Sequence, residues 1–536
     1  MPTVDNSTED NAQLQHSITT FAAGLQDSLA VHDALTVFDH ALKGVHGTEA
    51  AQQILSSVPL TQFFQLLQAD HGDETEITID KTCGVLELLL KDQSYSSAAQ
   101  DPFMAAALMQ ALNSPSERVY ALGLSQVNKV ADENTATLRA MLESDVFKAV
   151  IDGIASSSIS VADRAKQTLL KICHTQDKLE IVLNYDGSFC AIRDLVNSKS
   201  SIVQMRMMEV LTKLAAQSRE AMTAIQKVEL LDPLESGVTT TDFLARFNII
   251  EILAEFGVSE SGSEYLDESG ILARLSEVVA TEASEDSLSV SAILKLYGKL
   301  GDSKAVGFVS LDMKYQILSQ LQGLLDARDD DVELDESLKV EAMAAIGLIG
   351  GNLQNVEWLA QSSCVTSFLR QYATLSRETR VAWYHSLAQI LASSTEPTPA
   401  EDGVILGMYS KLEGPSQSPF LARLLTSAKS QSPELSMAAL SAMIPLSRYP
   451  FAVQNMGALR DFITFLLDRT ATLSHSEKVA KHEVIEGMLK TYERVKTNSG
   501  NELLTVDQVS RLDLNRRQGP FYQRATATVS ILDQAA

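Results

Sequence analysis

Nine histidines, four cysteines and a large excess of carboxylates are the residues from which this 536-residue chain would have to build a reaction centre. A metal site needs several ligands that converge, and a nucleophile needs a base within hydrogen-bond reach. The spacing here offers neither. His475 and His482 stand two helical turns apart with no cysteine near them, and they read as surface residues. Cys173 and His174 are sequence neighbours, and adjacent residues on a helix do not face one another. The stretch from Gly298 to Lys304 has the composition of a phosphate loop. It lacks the GxxxxGK[ST] spacing and follows a helical pattern, so it reads as an interhelical turn. Gly347, Gly350 and Gly351 fall where a helix is expected to end and read as caps. No GxSxG elbow occurs, and carboxylate pairs are too common to select any position. The chain reads as a non-enzyme that needs no metal and no cofactor.

One polar pattern is periodic. Lys129, Lys171 and Lys213 recur at a fixed interval that next falls on Glu255, and Lys299 follows slightly out of step. Cations in the last turn of a helix are favoured by its dipole, which accounts for such a row without any partner. The functional alternative is a row of lysines meeting acidic groups on another protein, joined by Arg164, Arg206 and Arg246 on the polar faces. These six residues are the candidate protein-binding set.

The elements that would carry them form a repeat. Four sets place apolar or small residues at positions n, n+4, n+8 and n+11: Val119/Gly123/Val127/Val130, Val161/Ala165/Leu169/Ile172, Val203/Met207/Leu211/Leu214 and Ala245/Ile249/Leu253/Phe256. That spacing puts each set on one face of a helix. Further units are expected at Thr78, Ser289, Leu338, Thr379 and Leu435. Shorter amphipathic segments at 145–154, 187–196 and 270–279 supply partner helices. A period in the low forties with helical patterning matches armadillo and HEAT repeats. No single unit buries its apolar face alone, so stacking must create the core. The expected fold is all-α: an armadillo/HEAT-like right-handed superhelical solenoid of about nine or more repeats. Trp383 falls on the anchor face. Trp358 and Trp383 are followed four residues later by Ser362 and Leu387, so the Trp/Asn ladder that grips basic peptides in importin-α-like proteins is missing.

Charge and composition exclude other classes. The formal net charge of −26 disfavours nucleic acid and anionic membrane surfaces as partners. The scattered cysteines lack any CxxC pair and fit a reducing compartment. The polar, acidic start does not resemble a signal peptide, and no apolar run approaches the length of a membrane span. The domain reading is a disordered segment at 1–12, a solenoid over 13–497 and a tail over 498–536. Loops are expected at 326–336 (acidic), 393–402 and 413–419 (Pro/Ser-rich).

Particular runs resemble a known family. Ser116 to Val130 (SERVYALGLSQVNKV), centred on Leu124-Ser125-Gln126, resembles an early repeat of the 26S proteasome non-ATPase regulatory subunit 5 family. Ser160 to Cys173 (SVADRAKQTLLKIC) is similar to the next repeat, and Gly270 to Gly301 and the Gly519-Pro520-Phe521-Tyr522 ending are similar too. The resemblance is strongest over 116–301 and the ending, and weak over 302–430. It implies an assembly chaperone for the base of the proteasome regulatory particle. Such proteins bind ATPase subunits through their small helical C-terminal domain and leave before the mature proteasome forms. Localisation would be cytoplasmic or nuclear, and the free protein a monomer. No contact residues carry over by motif. The alternative is another armadillo/HEAT adaptor, such as an Hsp70 nucleotide-exchange cofactor.

Overall fold

The computed structural model describes residues 16–23, 33–36, 38, 54–69, 75–327, 335–372, 375–413, 419–469 and 474–522. The segment expected to be disordered at 1–12, and residues 328–334, 414–418 and 523–536 of the expected loops and tail, lie outside these. The described residues are helical, with no strand among them, in an armadillo/HEAT-like arrangement. The chain divides into two compact units, Met1–Pro233 and Leu234–Ala536.

Among its described residues the first unit stacks four anchor helices: α1 (Thr75–Leu89), α2 (Glu117–Val127), α3 (Ile159–Ile172) and α4 (Ser201–Ala215). Each packs on the next. Serines at 116, 158 and 200 occupy the N-cap positions of α2, α3 and α4, and the Ser158 hydroxyl accepts from the Val161 N–H. The periodic stripe is the buried one. Gly123, Val127, Ala165, Leu169, Ile172, Met207, Leu211 and Leu214 are all buried. Each fully buried Leu, Ile or Met of this kind contributes about 1.5–3 kcal/mol relative to exposure. The expected partner helices are present at Asp145–Ile154 and Asp186–Val196, each preceded by a middle helix. Near the start of the unit, Phe21, Phe38 and Phe63 stack together, with Phe21 and Phe38 ring centroids 4.6 Å apart.

The second unit stacks six anchors: α5 (Phe243–Phe256), α6 (Ser287–Asp302), α7 (Glu336–Gly351), α8 (Arg377–Leu391), α9 (Pro433–Leu446) and α10 (His475–Ser499). Again each packs on the next. All nine candidate units coincide with anchor helices, and α10 adds one that the apolar spacing did not single out. The starts of α2 to α5, at 117, 159, 201 and 243, preserve the step of 42 residues.

Two sets of glycines do something other than expected. Gly298 and Gly301 lie inside α6, not in a turn, and Gly347, Gly350 and Gly351 lie inside α7, not at a cap. The reason is close helix approach. A Cβ on Gly301 would stand 2.9 Å from the Cα of Ile349 on α7, and one on Gly347 would stand 2.7 Å from the Cα of Ser386 on α8. Backbone atoms cannot retreat as a flexible side chain can, so these positions let three anchors meet at short range.

The expected 393–402 loop and the expected tail both contain helix. The stretch read as a loop over 393–402 becomes helical at Pro399, with Pro at the first turn and a Thr398/Glu401 capping box. Within the expected tail, α10 continues to Ser499, and Gly500 caps it at φ 72°. Helix Val506–Gln518 then packs on α10 and on helix Arg460–Leu467.

Candidate partner-binding surface

The six candidate cations have different surroundings. The Lys129 ammonium donates to the carbonyl oxygens of Leu90 and, at 2.7 Å, of Gln93. It therefore satisfies carbonyls just past the end of α1, as a C-terminal cation does. Arg206 does the same for helix Asp145–Ile154, donating to Ile154 O at 3.0 Å and Ser156 O at 2.7 Å. Lys213 is exposed and pairs with Glu209 on its own helix at 2.6 Å. Glu209 also takes Lys166 of α3 at 2.7 Å, tying α3 to α4. Arg164 and Lys171 are exposed.

Arg246 is 4% exposed and sits in the interior of the second unit. Its guanidinium bonds Glu282 at 2.7 Å, Asp286 at 2.5 Å and the Ser289 hydroxyl at 3.2 Å. Asp286 in turn accepts from the Ser289 N–H at 3.0 Å and so caps α6. Burial by itself would raise the Asp286 carboxyl. The Ser289 and Arg246 hydrogen bonds outweigh it and hold the group below the usual carboxylate range. The sequence reading missed this network because Glu282 and Asp286 lie in a linker whose place against α5 is set only by packing.

The ion pairs between anchors define a register. Glu255 of α5 meets Lys299 of α6, and Lys295 of α6 lies 4.0 Å from Glu341 of α7. Glu255 and Lys299, two members of the periodic polar pattern, thus pair with each other.

The histidines and cysteines that could do chemistry do not form a metal-ligating group among the described residues. Cys173 is buried, which pushes its thiol up to about 12, and the His174 ring contacts the Lys171 carbonyl at 2.9 Å. His475 stacks near Phe521 at 4.4 Å, whereas His482 lies 3.4 Å from Glu486. Among the described residues no group of three or more His, Cys, Asp or Glu could hold a metal ion, and no helix is long and apolar enough to cross a membrane. The Trp358 indole donates to Asp312 at 2.7 Å, at the wall of a cavity of about 480 Å³ that also includes Met313 and Cys364.

A larger cavity, about 690 Å³, is lined by Lys429, Asp461, Phe465, Asp468, Glu477 and Lys481. Lys481 is only 3% exposed, although it carries an ammonium. That group lies 4.0 Å from the Phe465 ring centroid and donates one long bond, 3.4 Å, to the Asp468 carbonyl. Burial lowers its pKa to about 8, and Asp468 and Glu477 oppose the shift only in part. A lysine lowered on folding costs stability while it stays protonated below its folded value. The cost fades as pH rises from about 8 toward the unfolded value near 10.4. Lys481→Met should therefore raise stability at pH 7 by about 1–3 kcal/mol. The gap between variant and wild type in chemical denaturation should narrow at pH 9.5. A destabilised variant, or a gap independent of pH, would contradict this.

Comparison with known proteins places the whole chain. The family described as "Proteasome non-ATPase 26S subunit" matches residues 18–536. The protein named 26S proteasome non-ATPase regulatory subunit 5 from Homo sapiens is 22% identical over 527 residues, covering 97% of this chain and 98% of its own length. The bovine protein of the same name is 22% identical over 505 residues, covering 90% of this chain and 95% of its own. Among solved structures, a mutant of Kap121p superposes with a TM-score of 0.51 at 12% identity, covering 94% of this chain and 53% of the other. That likeness is one of fold alone. With a family match from residue 18 to the last residue and the repeats found in register, this chain belongs to the proteasome non-ATPase 26S subunit family.

Proposed function

We propose that this protein is a non-catalytic assembly chaperone for the base of the proteasome regulatory particle. In this reading it binds ATPase subunits through their C-terminal helical domain and is released before the mature proteasome forms. It works as a monomer in the cytoplasm or nucleus. The observation that carries the reading is the near full-length alignment with proteins named 26S proteasome non-ATPase regulatory subunit 5. The fold supports it, because stacked helical repeats offer long binding faces without needing a pocket.

The test is affinity capture with the full chain from a gentle lysate, followed by mass spectrometry. Free ATPase subunits and their partial complexes should be recovered, with little mature proteasome. Recovery of no ATPase subunit, or of mature proteasome in preference, would reject the reading.

A further inference from the structure

Three large apolar side chains stand in solvent at the start of two neighbouring anchors in the second unit. Phe243 and Leu244 open α5 and are 47% and 63% exposed, and Leu288 near the start of α6 is 44% exposed. The helix register aligns them. Glu255 pairs with Lys299, 44 residues on, and the same step leads from Leu244 to Leu288. Within the same turn Arg246 bonds Ser289, so the starts of the two helices lie side by side.

The scaffold beneath them is fixed. The Arg246 guanidinium lies 5.3 Å from the centroid of the Phe243 ring. The same guanidinium grips Asp286, which caps the helix that carries Leu288. One internal ion network thus supports the ring from below and sets the position of the neighbouring helix. Holding apolar groups in place before binding lowers the ordering cost of association.

The segment that carries them is strongly acidic. Residues 239–290 hold eleven Asp and Glu against two arginines, a net charge of −9. One of those arginines, Arg246, is buried and neutralised. Asp242 and Glu285 beside the apolar residues are exposed. Apolar anchors in a carboxylate frame select an apolar partner with basic flanks, and they repel phosphate-rich surfaces. Packed helix axes lie about 8–10 Å apart. Side chains two turns apart on a helix are separated by about 10 Å. A helix lying across α5 and α6 can therefore seat one apolar side chain on Leu244 and another, two turns on, at Leu288.

We propose that Phe243, Leu244 and Leu288 anchor an interaction surface for a basic amphipathic helix of a partner protein. Asp242 and Glu285 face its Lys and Arg flanks. That the partner is a proteasomal ATPase subunit rests on the preceding reading, whereas the surface itself does not.

The experiment compares the full chain with Leu244→Asp/Leu288→Asp, with the milder Phe243→Ala, and with Ile77→Asp. Ile77 is an exposed residue of α1 in the other unit and serves as the control. The probes are the individually purified C-terminal domains of the proteasomal ATPases, a short synthetic Leu/Lys amphipathic helix, and phosphatidylserine vesicles. Wild type should bind one ATPase domain and the synthetic helix, more weakly at high salt. The double variant should lose about ten-fold or more on both, Phe243→Ala should lose less, and Ile77→Asp should lose nothing. All variants should keep the wild-type helical signal, since the altered residues face solvent. If an ATPase domain binds wild type and the double variant equally, the surface is overturned while the chaperone reading stands. If no ATPase domain binds, but the synthetic helix binds wild type and not the double variant, the chaperone reading falls and the surface stands. Vesicle binding abolished by the double variant would overturn the proposal in favour of a membrane face.

Discussion

Arg246→Ala is expected to destabilise the second unit by about 3–5 kcal/mol, the cost of removing one partner from a buried ion pair. The guanidinium satisfies Asp286, whose side chain is almost wholly enclosed, and Glu282, which is about one-third exposed. Without it, Asp286 is left as a buried carboxylate with only the Ser289 contacts, and the capped start of α6 loosens with it. Chemical denaturation should show the loss, and hydrogen exchange should place it at the amides of residues 282–290. Arg246→Lys should recover only part, because an ammonium cannot reproduce the fork that reaches two carboxylates and a hydroxyl. The pH dependence has a definite sign. A carboxyl whose pKa is depressed on folding contributes stability at neutral pH and loses it as pH falls through its folded value. Wild type should therefore lose its advantage over Arg246→Ala below about pH 4. An alanine variant with wild-type stability at pH 7 would contradict the network's role.

Trp383→Ala is expected to cost about 3–5 kcal/mol through the cavity it leaves. Trp383 is fully buried and is the centre of an aromatic cluster. Its ring lies 4.9 Å from Tyr372, 5.4 Å from Phe368 and Tyr384, and 6.1 Å from Phe420. Its indole N–H donates to the Phe368 carbonyl at 2.8 Å. Around it, the Tyr384 hydroxyl bonds Ser427 at 2.9 Å, and the Arg380 and Arg423 guanidiniums cover Tyr372. Trp383→Phe should keep much of the packing but lose that hydrogen bond, for a smaller cost of about 1–3 kcal/mol. Only Trp358 then remains as a tryptophan, so the denaturation midpoint can be followed by helical circular dichroism and checked by tryptophan fluorescence. Equal stability of the alanine variant and wild type would mean that the cluster collapses onto the gap without penalty.

The repeat was legible in the residues because its cause is local. An anchor helix that must bury one stripe needs apolar or small side chains at n, n+4, n+8 and n+11 whatever lies elsewhere. Val127, Leu169, Leu211 and Leu253 are accordingly interior. Trp383 was legible for the same reason. The glycines were not. Gly301 and Gly347 look like breakers in the linear chain, and only the backbone of the neighbouring anchor explains why they sit within helices. Lys129 and Arg206 show the same limit. A cation in a helix has the same sequence signature whether it meets a partner or caps a neighbouring helix. Leu244 and Leu288 did leave a trace, since each stands one residue before its unit's stripe. Their exposure, however, depended on where α5 and α6 meet.

By itself the sequence determined the helical class, the period, the buried face of each anchor and the overall acidity. All of these follow from side-chain hydrophobicity, charge and 3.6-residue periodicity, which act within one helix or sum over the chain. Tertiary structure alone decided which polar groups are internal, which glycines serve close approach and which apolar residues remain on the outside. Those outcomes depend on contacts between residues some forty positions apart, such as Arg246 with Asp286, and a linear pattern does not encode the distance between two helices.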